Sequence, residues 1–241
     1  MKRLLTPLLL ALLVLLAGCA GPLQTTATTA EATDTTGTTL ATTGTGTMDA
    51  EADLAVVSVA VVATAATADD ARGQVAADTE RMRAALRDAG VPDDAVTTAS
   101  YAVYPQYDYR DGERVERGFR AIHAFSIETE PARAGEVVDL AVGNGASEVQ
   151  GVSFTLRDET RASLRTAAIE RAVTAARADA DAMAGAAGLS VTSIESMSTS
   201  GGFTPVERFD IAESDAGGAR TTFEPGPVSV SVTVQVTYRA A

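Results

Sequence analysis

The C-terminal segment of the chain carries the clearest hydrophobic pattern. Between residues 228 and 237 every second position is valine, and Ser, Thr or Gln fills the positions between. Such alternation predicts a β-strand with one apolar face and one polar, solvent-exposed face. Residues 53–66 are instead rich in valine at odd and even positions alike, which predicts a strand covered on both faces.

Two helices are predicted by apolar residues spaced three and four apart. The first begins after Thr67, which has capping-box spacing to Asp70, and ends at Gly90, a residue suited to a left-handed C-terminal cap. The second begins at Pro131 and closes at the Gly-Asn-Gly turn of residues 143–145. Each is expected to lay its apolar stripe on a sheet.

A third and longer helix is predicted from Asp158, as its capping residue, to Gly188. Its apolar stripe is mainly alanine, and small side chains let a helix lie close to the element beneath it. We expect the stripe to consist of Ile169, Val173, Ala176, Ala180, Met183 and Ala187.

Further strands are predicted around these helices. They are a hairpin of residues 96–109 and 118–130 around the turn 110–113, single strands at 149–156 and 191–198, and a first strand near 40–47. The element order is therefore β-βαββ-α-βαββ, which indicates an α+β fold with an antiparallel-rich sheet and helices packed on one side. The repeated βαββ order suggests an internal duplication, and residues 201–226 are predicted to form a long polar loop.

Residues 1–18 have the features of an export signal. A positive start is followed by an apolar run from Leu4 to Ala17, which is too short to span a bilayer because a spanning helix needs about 20 residues. The run ends in Leu-Ala-Gly-Cys, a lipobox in which Cys19 is alkylated with diacylglycerol and becomes the first residue of the mature chain. We therefore predict an extracytoplasmic protein, anchored by lipid to the outer face of the cytoplasmic membrane.

A flexible stalk is predicted between the lipid and the folded domain. It covers residues 19–39, and the domain covers residues 40–241. From residue 20 to residue 47, 13 of 28 residues are Thr, and large apolar side chains are almost absent. Such a segment buries too little area to offset the entropy of ordering it. In an exported protein it is also a candidate for O-glycosylation.

The chain is strongly acidic, with 32 acidic and 19 basic residues and a net charge of −13. This charge repels phosphates, so no nucleic acid partner is expected. The acidic residues are spread along the chain, and all but one of the basic residues are Arg. In molar salt the screening length is only about 3 Å, so the repulsion between the charges of such a surface is weak. We therefore predict a halophilic, archaeal source and a domain whose melting temperature rises in molar salt.

Each familiar catalytic or metal-binding motif lacks a residue that it requires. One Cys and one His exclude a multi-thiolate or two-imidazole zinc site, so neither a metal nor a cofactor is expected. Ser153 lies in a fragment of a nucleophile elbow that lacks the last Gly. His123 lies on the apolar face of a strand, where a packed, hydrogen-bonded imidazole is expected rather than a general base.

Four of the five tyrosines lie within nine residues and flank a proline: Tyr101, Tyr104, Pro105, Tyr107 and Tyr109. On a strand Tyr104 points away from the face that the other three share, unless Pro105 marks a bulge or an edge. We expect the rings to form a cross-strand cluster with the phenylalanines of the neighbouring strand. The alternative is an exposed aromatic rim that contacts a partner subunit or a ligand.

Several segments carry a family resemblance: TTASYAVYPQYDY, GFRAIHAFSIE, RAGEVVDLAVGNGA, GVSFTLRD and AGAAGLSV. Together they resemble the SIMPL-domain family, which includes periplasmic oxidative-stress-defence and immunogenic proteins of bacteria, and the resemblance covers roughly residues 40–241. It implies an exported α+β domain that is not an established enzyme, tends to self-associate, and is loosely linked to envelope integrity and oxidative stress. The family has no agreed catalytic residues, so none is assigned here.

Three functions follow as hypotheses. The first is a lipid-anchored, non-catalytic interaction module that forms a homo-oligomer, with any other protein partner unspecified. The second is a surface lipoprotein that binds a ligand between the tyrosine segment and the loop 201–226. The third is a hydrolase, which requires Ser153 and His123 within hydrogen-bond reach.

Overall fold

The computed structural model describes residues 37–110, 113–200 and 221–241, and residues Gly37–Ala241 belong to one compact unit. The described residues form seven β-strands and three α-helices. The strands are β1 Thr38–Glu51, β2 Leu54–Ala65, β3 Val96–Arg110, β4 Glu113–Thr129, β5 Glu148–Thr155, β6 Val191–Ser200 and β7 Pro227–Ala240; the helices are α1 Ala68–Asp88, α2 Ala134–Gly143 and α3 Asp158–Ala186. This order confirms the predicted β-βαββ-α-βαββ sequence of elements and the α+β class.

The strands form two antiparallel sheets where the sequence predicted one. The four-stranded sheet has the order β3-β4-β2-β5, and the three-stranded sheet has the order β1-β7-β6. In each sheet a hairpin that follows a long helix pairs, through its second strand, with an earlier single strand. That single strand is β2 in one sheet and β1 in the other, although β5 is the first strand of the second βαββ unit. β5 instead pairs with β2.

The larger core lies between the four-stranded sheet and helices α1 and α2. Besides several alanines, it contains fully or almost fully buried medium and large side chains: Val57, Val59, Val61, Met82, Leu86, Phe125, Ile127 and Val137. The predicted covering of β2 is confirmed in full for this face. On the other face it is confirmed in part, because Ala60 is buried whereas Val56 and Val62 are half-buried. The alternation predicted for β7 is confirmed, since its even-numbered residues from Val228 to Ala240 are all buried.

The buried stripe by which helix α3 lies on the three-stranded sheet consists of alanines, and Ile169 and Val173 pack beside it as partly buried residues. Every fourth residue is buried to at least 99%: Ala168, Ala172, Ala176, Ala180 and Ala184. The predicted stripe is right at Ala176 and Ala180 and wrong at Met183, which is 47% exposed, and at Ala187, which is exposed. Alanine at every fourth position gives the helix a flat contact surface, so the larger residues lie at the sides of this stripe.

Backbone lies almost directly on backbone where α3 crosses β1. A Cβ atom added to Gly44 would lie 1.9 Å from the carbonyl oxygen of Ala172, and one added to Gly46 would lie 2.0 Å from that of Ala168. The Thr42 hydroxyl donates to the Ala176 carbonyl oxygen over 2.9 Å. Only glycine fits at such an approach. The predicted close packing of this helix is therefore confirmed.

The N-terminus of α3 is capped from outside the helix. Asp53, in the turn between β1 and β2, accepts hydrogen bonds from the Arg157 N–H at 2.6 Å and from the Thr160 hydroxyl at 2.5 Å. Desolvation acts to raise the pKa of the Asp53 carboxyl, but these two hydrogen bonds and the charge of Arg157 together lower it below its ordinary value. The prediction that Asp158 caps the helix is wrong, because Asp158 is its first residue and pairs with Arg161.

Candidate interaction surface and cleft

The β3–β4 hairpin extends beyond the four-stranded sheet. β2 pairs with β4 only over residues 119–129, so residues 106–110 and 113–118 pair only with each other. Two-stranded ribbons are marginally stable without a third strand. Residues 106–110 and 113–118 are called the hairpin arm. Residues 111 and 112 of the predicted turn 110–113 lie outside the described residues.

The tyrosine segment lies on β3, which is an edge strand. Its rings are exposed by 49% at Tyr101, 43% at Tyr104, 36% at Tyr107 and 74% at Tyr109. The expected packed cluster with the phenylalanines of β4 is therefore wrong. Of the eleven large hydrophobic residues exposed in the described part of the chain, six lie on β3 and β4.

The register explains which tyrosine rings share a face. Tyr101 pairs with His123 and Tyr104 pairs with Arg120, and directly paired residues lie on the same face of a sheet. Because His123 and Arg120 are an odd number of residues apart, Tyr101 and Tyr104 lie on opposite faces, as the sequence predicted. Pro105 lies on an edge strand, which the sequence left as an open alternative, and the ladder shifts register immediately after Gln106.

Arginines neutralise the hairpin arm. The Arg114 guanidinium lies 3.5 Å from the centre of the Tyr107 ring, and the Arg117 Nε donates to the Asp108 carboxylate over 3.0 Å. In sequence, residues 106–120 hold four Arg and four acidic residues. This stretch therefore has no net charge in a chain whose net charge is −13.

Tyr101 also lines a cleft between α1 and the sheet edge. The cleft has a volume of about 330 Å³, within the usual size of small-molecule sites. Its other lining residues are Arg72, Val75, Ala76, Thr79, Glu80 and His123. Sequence analysis missed the cleft, although Arg72, Thr79 and Glu80 are spaced to lie along one side of a helix.

His123 is the packed, hydrogen-bonded imidazole that the sequence predicted. Its Nε2 lies 3.0 Å from the Thr98 hydroxyl, and its ring contacts those of Tyr101, edge-on at 5.2 Å between centroids, and Phe125 at 4.0 Å. Burial lowers the pKa of His123 below its ordinary value of 6.5, and the charge of Arg83 acts in the same direction. The ring is therefore neutral at neutral pH.

Ser153 and His123 do not form a catalytic pair. Ser153 pairs with Val56 and His123 pairs with Val61, on either side of β2. Because these valines are five residues apart, the two side chains lie on opposite faces of the sheet and roughly 16 Å apart along the strand direction. The hydrolase hypothesis that required their contact is contradicted.

The acidic residues near helix ends have ordinary structural roles. The Asp70 N–H donates to the Thr67 hydroxyl at 3.1 Å, which confirms the predicted cap of α1. Asp93 forms ion pairs with Arg87 at 3.2 Å and Arg83 at 3.5 Å. In the three described ranges no group of three or more Asp, Glu, His or Cys side chains is placed to hold a metal ion.

The predicted anchor and most of the predicted stalk and loop lie outside the described residues. These are Cys19, the stalk residues up to 36 and the loop residues 201–220. The described chain enters β1 at Thr38, two residues before the predicted domain start. None of the helices within the described ranges is long and apolar enough to cross a membrane.

Comparison with known protein families gives a match over most of the chain. Residues 40–238 match the SIMPL family, described as proteins of unknown function (DUF541). No curated protein matches the chain.

Proposed function

The chain belongs to the SIMPL family, and on that premise we propose that it is a lipid-anchored, extracytoplasmic module that assembles with itself through the hairpin arm. The module is non-catalytic in this proposal. The distance between Ser153 and His123 supports that part, since it removes the only nucleophile and base that the sequence suggested.

One observation carries the assembly part of the proposal: the exposed apolar surface of the hairpin. Tyr107, Tyr109 and Val115 are all exposed by more than a third, on a ribbon that has no third strand. Exposed aromatic patches of this kind are found at interaction sites more often than other parts of a protein surface are. Tyrosine and arginine are also the residues enriched at the centres of protein interfaces.

The absence of net charge on residues 106–120 allows a second copy of the chain to be the partner. Two bodies of net charge −13 repel each other. They approach at least cost where each presents a segment without net charge, and residues 106–120 are such a segment. Two copies related by a twofold axis would bring this same segment of each chain together.

The contact is made by side chains and not by adding one strand to another. Pro105 lacks an N–H, and the register shifts beside Thr98 and Gln106 interrupt the ladder of β3. Such features are typical of edge strands that avoid edge-to-edge pairing. The tyrosine rings therefore supply most of the contact area.

The assembly is tested by sedimentation velocity on the full chain in detergent and molar salt. Replacing Tyr107 and Tyr109 together by Ser is expected to cost about 2 kcal/mol, or roughly a thirty-fold weaker self-association. Val142→Ser with Ile194→Ser is the matched control, because these residues are also exposed, by 49% and 52%, but lie on α2 and β6. A wild-type chain that stays monomeric at high concentration, or a control pair that dissociates equally, contradicts the proposal.

The anchor is a separate part of the proposal. The lipobox ending in Cys19 and the short apolar run before it support export and lipidation. Mass spectrometry of the protein from native membranes is expected to give a mature chain that starts at Cys19 and carries diacylglycerol. An intact, unmodified N-terminus contradicts it. A Cys19→Ser variant that stays on the membrane as wild type does also contradicts it.

A link to oxidative-stress defence rests on the family resemblance alone. If the module protects the cell envelope, deleting its gene lowers survival in peroxide, and a copy with Tyr107→Ser and Tyr109→Ser fails to restore it. Equal survival of the deletion strain contradicts this part and leaves assembly and anchoring unaffected.

A further inference from the structure

The cleft between α1 and the edge of the four-stranded sheet combines groups that the assembly proposal does not use. It joins one side of α1, from Arg72 to Glu80, with the Tyr101 ring and the His123 imidazole. Its volume of about 330 Å³ suits a molecule of a few heavy atoms with some water.

A buried hydroxyl without a partner lies in the lining of this cleft. Thr79 faces the sheet, is only 9% exposed, and its Oγ1 has no hydrogen-bond partner. An unsatisfied buried polar group lowers the stability of the fold. A ligand that reaches this hydroxyl recovers part of the lost stability.

The charges around the cleft favour a cation. The Arg72 guanidinium is held by the Asp69 carboxylate at 2.7 Å, so its charge is already paired. Glu80, within the described part of the chain, forms no hydrogen bond or ion pair with its side chain. The free charge of the lining is therefore a carboxylate.

The aromatic wall also favours a cation. The Tyr101 ring is half-exposed and is held edge-on by His123. An ammonium group near the face of such a ring is attracted by the negative charge density of the ring. His123 does not oppose this because its imidazole is neutral.

We propose that the cleft binds a small organic ammonium ion. The ammonium group pairs with the Glu80 carboxylate, donates a hydrogen bond to the Thr79 hydroxyl and lies against the Tyr101 ring. The hydrocarbon part of the ion contacts Val75 and Ala76. The site is independent of self-assembly, because the arm tyrosines do not line it.

The single histidine makes the site directly observable. The full chain, labelled with ¹⁵N-histidine and kept in detergent, is titrated with n-butylammonium chloride at constant ionic strength. Because the chain has one His, its ring signals belong to His123. We expect a saturable shift of these signals, and the same shift in the variant with Tyr107→Ser and Tyr109→Ser.

Three variants separate the site from general attraction to an acidic protein. Glu80→Gln is expected to weaken binding at least tenfold, whereas Glu170→Gln, an exposed residue of α3, leaves it unchanged. Thr79→Val keeps the shape of the side chain, weakens binding several-fold and does not lower the melting temperature, since it removes a hydroxyl that has no partner.

Three results would overturn the proposal. The first is the absence of a saturable shift with n-butylammonium. The second is a shift produced as readily by butyrate, which would assign the cleft to anions through Arg72. The third is equal weakening by Glu80→Gln and Glu170→Gln, which would mean that only the overall charge attracts the ion.

Discussion

The two helix–sheet layers of the domain reach close packing in opposite ways. Between the four-stranded sheet and helices α1 and α2, buried Val, Leu, Met, Ile and Phe side chains fill the space. Between the three-stranded sheet and α3, the elements approach until alanines meet Gly44 and Gly46. The first layer gains mainly from buried apolar area, and the second gains from many backbone contacts at short range. Removing atoms should therefore damage the first layer, and adding atoms should damage the second.

The largest effect is expected from removing a ring in the first layer. Phe125 is 1% exposed, and Phe125→Ala leaves a cavity that costs about 3–5 kcal/mol of unfolding free energy. Phe125→Leu is the control, and it should cost less than about 1.5 kcal/mol because most of the volume remains. Urea denaturation followed by circular dichroism measures both. Equal losses in the two variants would show that this core does not depend on filled volume.

A smaller but still severe effect is expected from adding one methyl group in the second layer. In Gly44→Ala the new Cβ lies 1.9 Å from the Ala172 oxygen and 2.5 Å from the Ala176 nitrogen, so β1 and α3 must separate. We expect a loss of about 3 kcal/mol. The control is Gly151→Ala on β5, where a Cβ meets nothing within 4 Å, and its melting temperature should stay close to wild type. If Gly44→Ala melts like that control, the close approach is not required.

The smallest effect is expected at Asp53, which joins the two layers between β1 and β2. Asp53→Asn weakens the external cap of α3 and should cost about 1 kcal/mol at neutral pH. The folded-state pKa of Asp53 lies below its ordinary value of 3.8. Its ionised form therefore stabilises the fold fully above that value, and the contribution is lost as the pH falls through the folded-state pKa.

Stability curves against pH test this assignment. Wild type and Asp53→Asn should differ at neutral pH and converge in acid below the ordinary pKa of 3.8. Asp179→Asn, an exposed residue of α3, is the control and should follow wild type throughout. A constant difference between wild type and Asp53→Asn at every pH would exclude the carboxylate as the cap.

The sequence predicted the elements well because their signals are local. The valine alternation of β7, the capping box at Thr67 and the glycine at residue 90 each act within a few residues. Gly90 indeed has a φ of +83°. Element order and fold class follow from such signals without knowledge of tertiary contacts.

The tertiary arrangement was predicted less well because it depends on distant partners. The Thr-Gly-Thr-Gly segment of β1 resembles the end of a linker until α3, more than a hundred residues later, lies on it. The division into two sheets depends on β1 pairing with β7, and the exposure of the tyrosines depends on β3 being an edge. The cleft needs α1 and β3 side by side. None of these contacts can be predicted from the residue pattern of one segment alone.

The position of the tyrosines determines what an optical melting experiment would report. The chain has no Trp and five Tyr, of which four are exposed on β3 while Tyr238 is buried beneath α3. Intrinsic ultraviolet emission therefore comes mainly from the hairpin and hardly at all from the larger core. An emission change on warming can thus precede the cooperative loss of the helices, and a thermal midpoint obtained from it would describe the ribbon more than the domain.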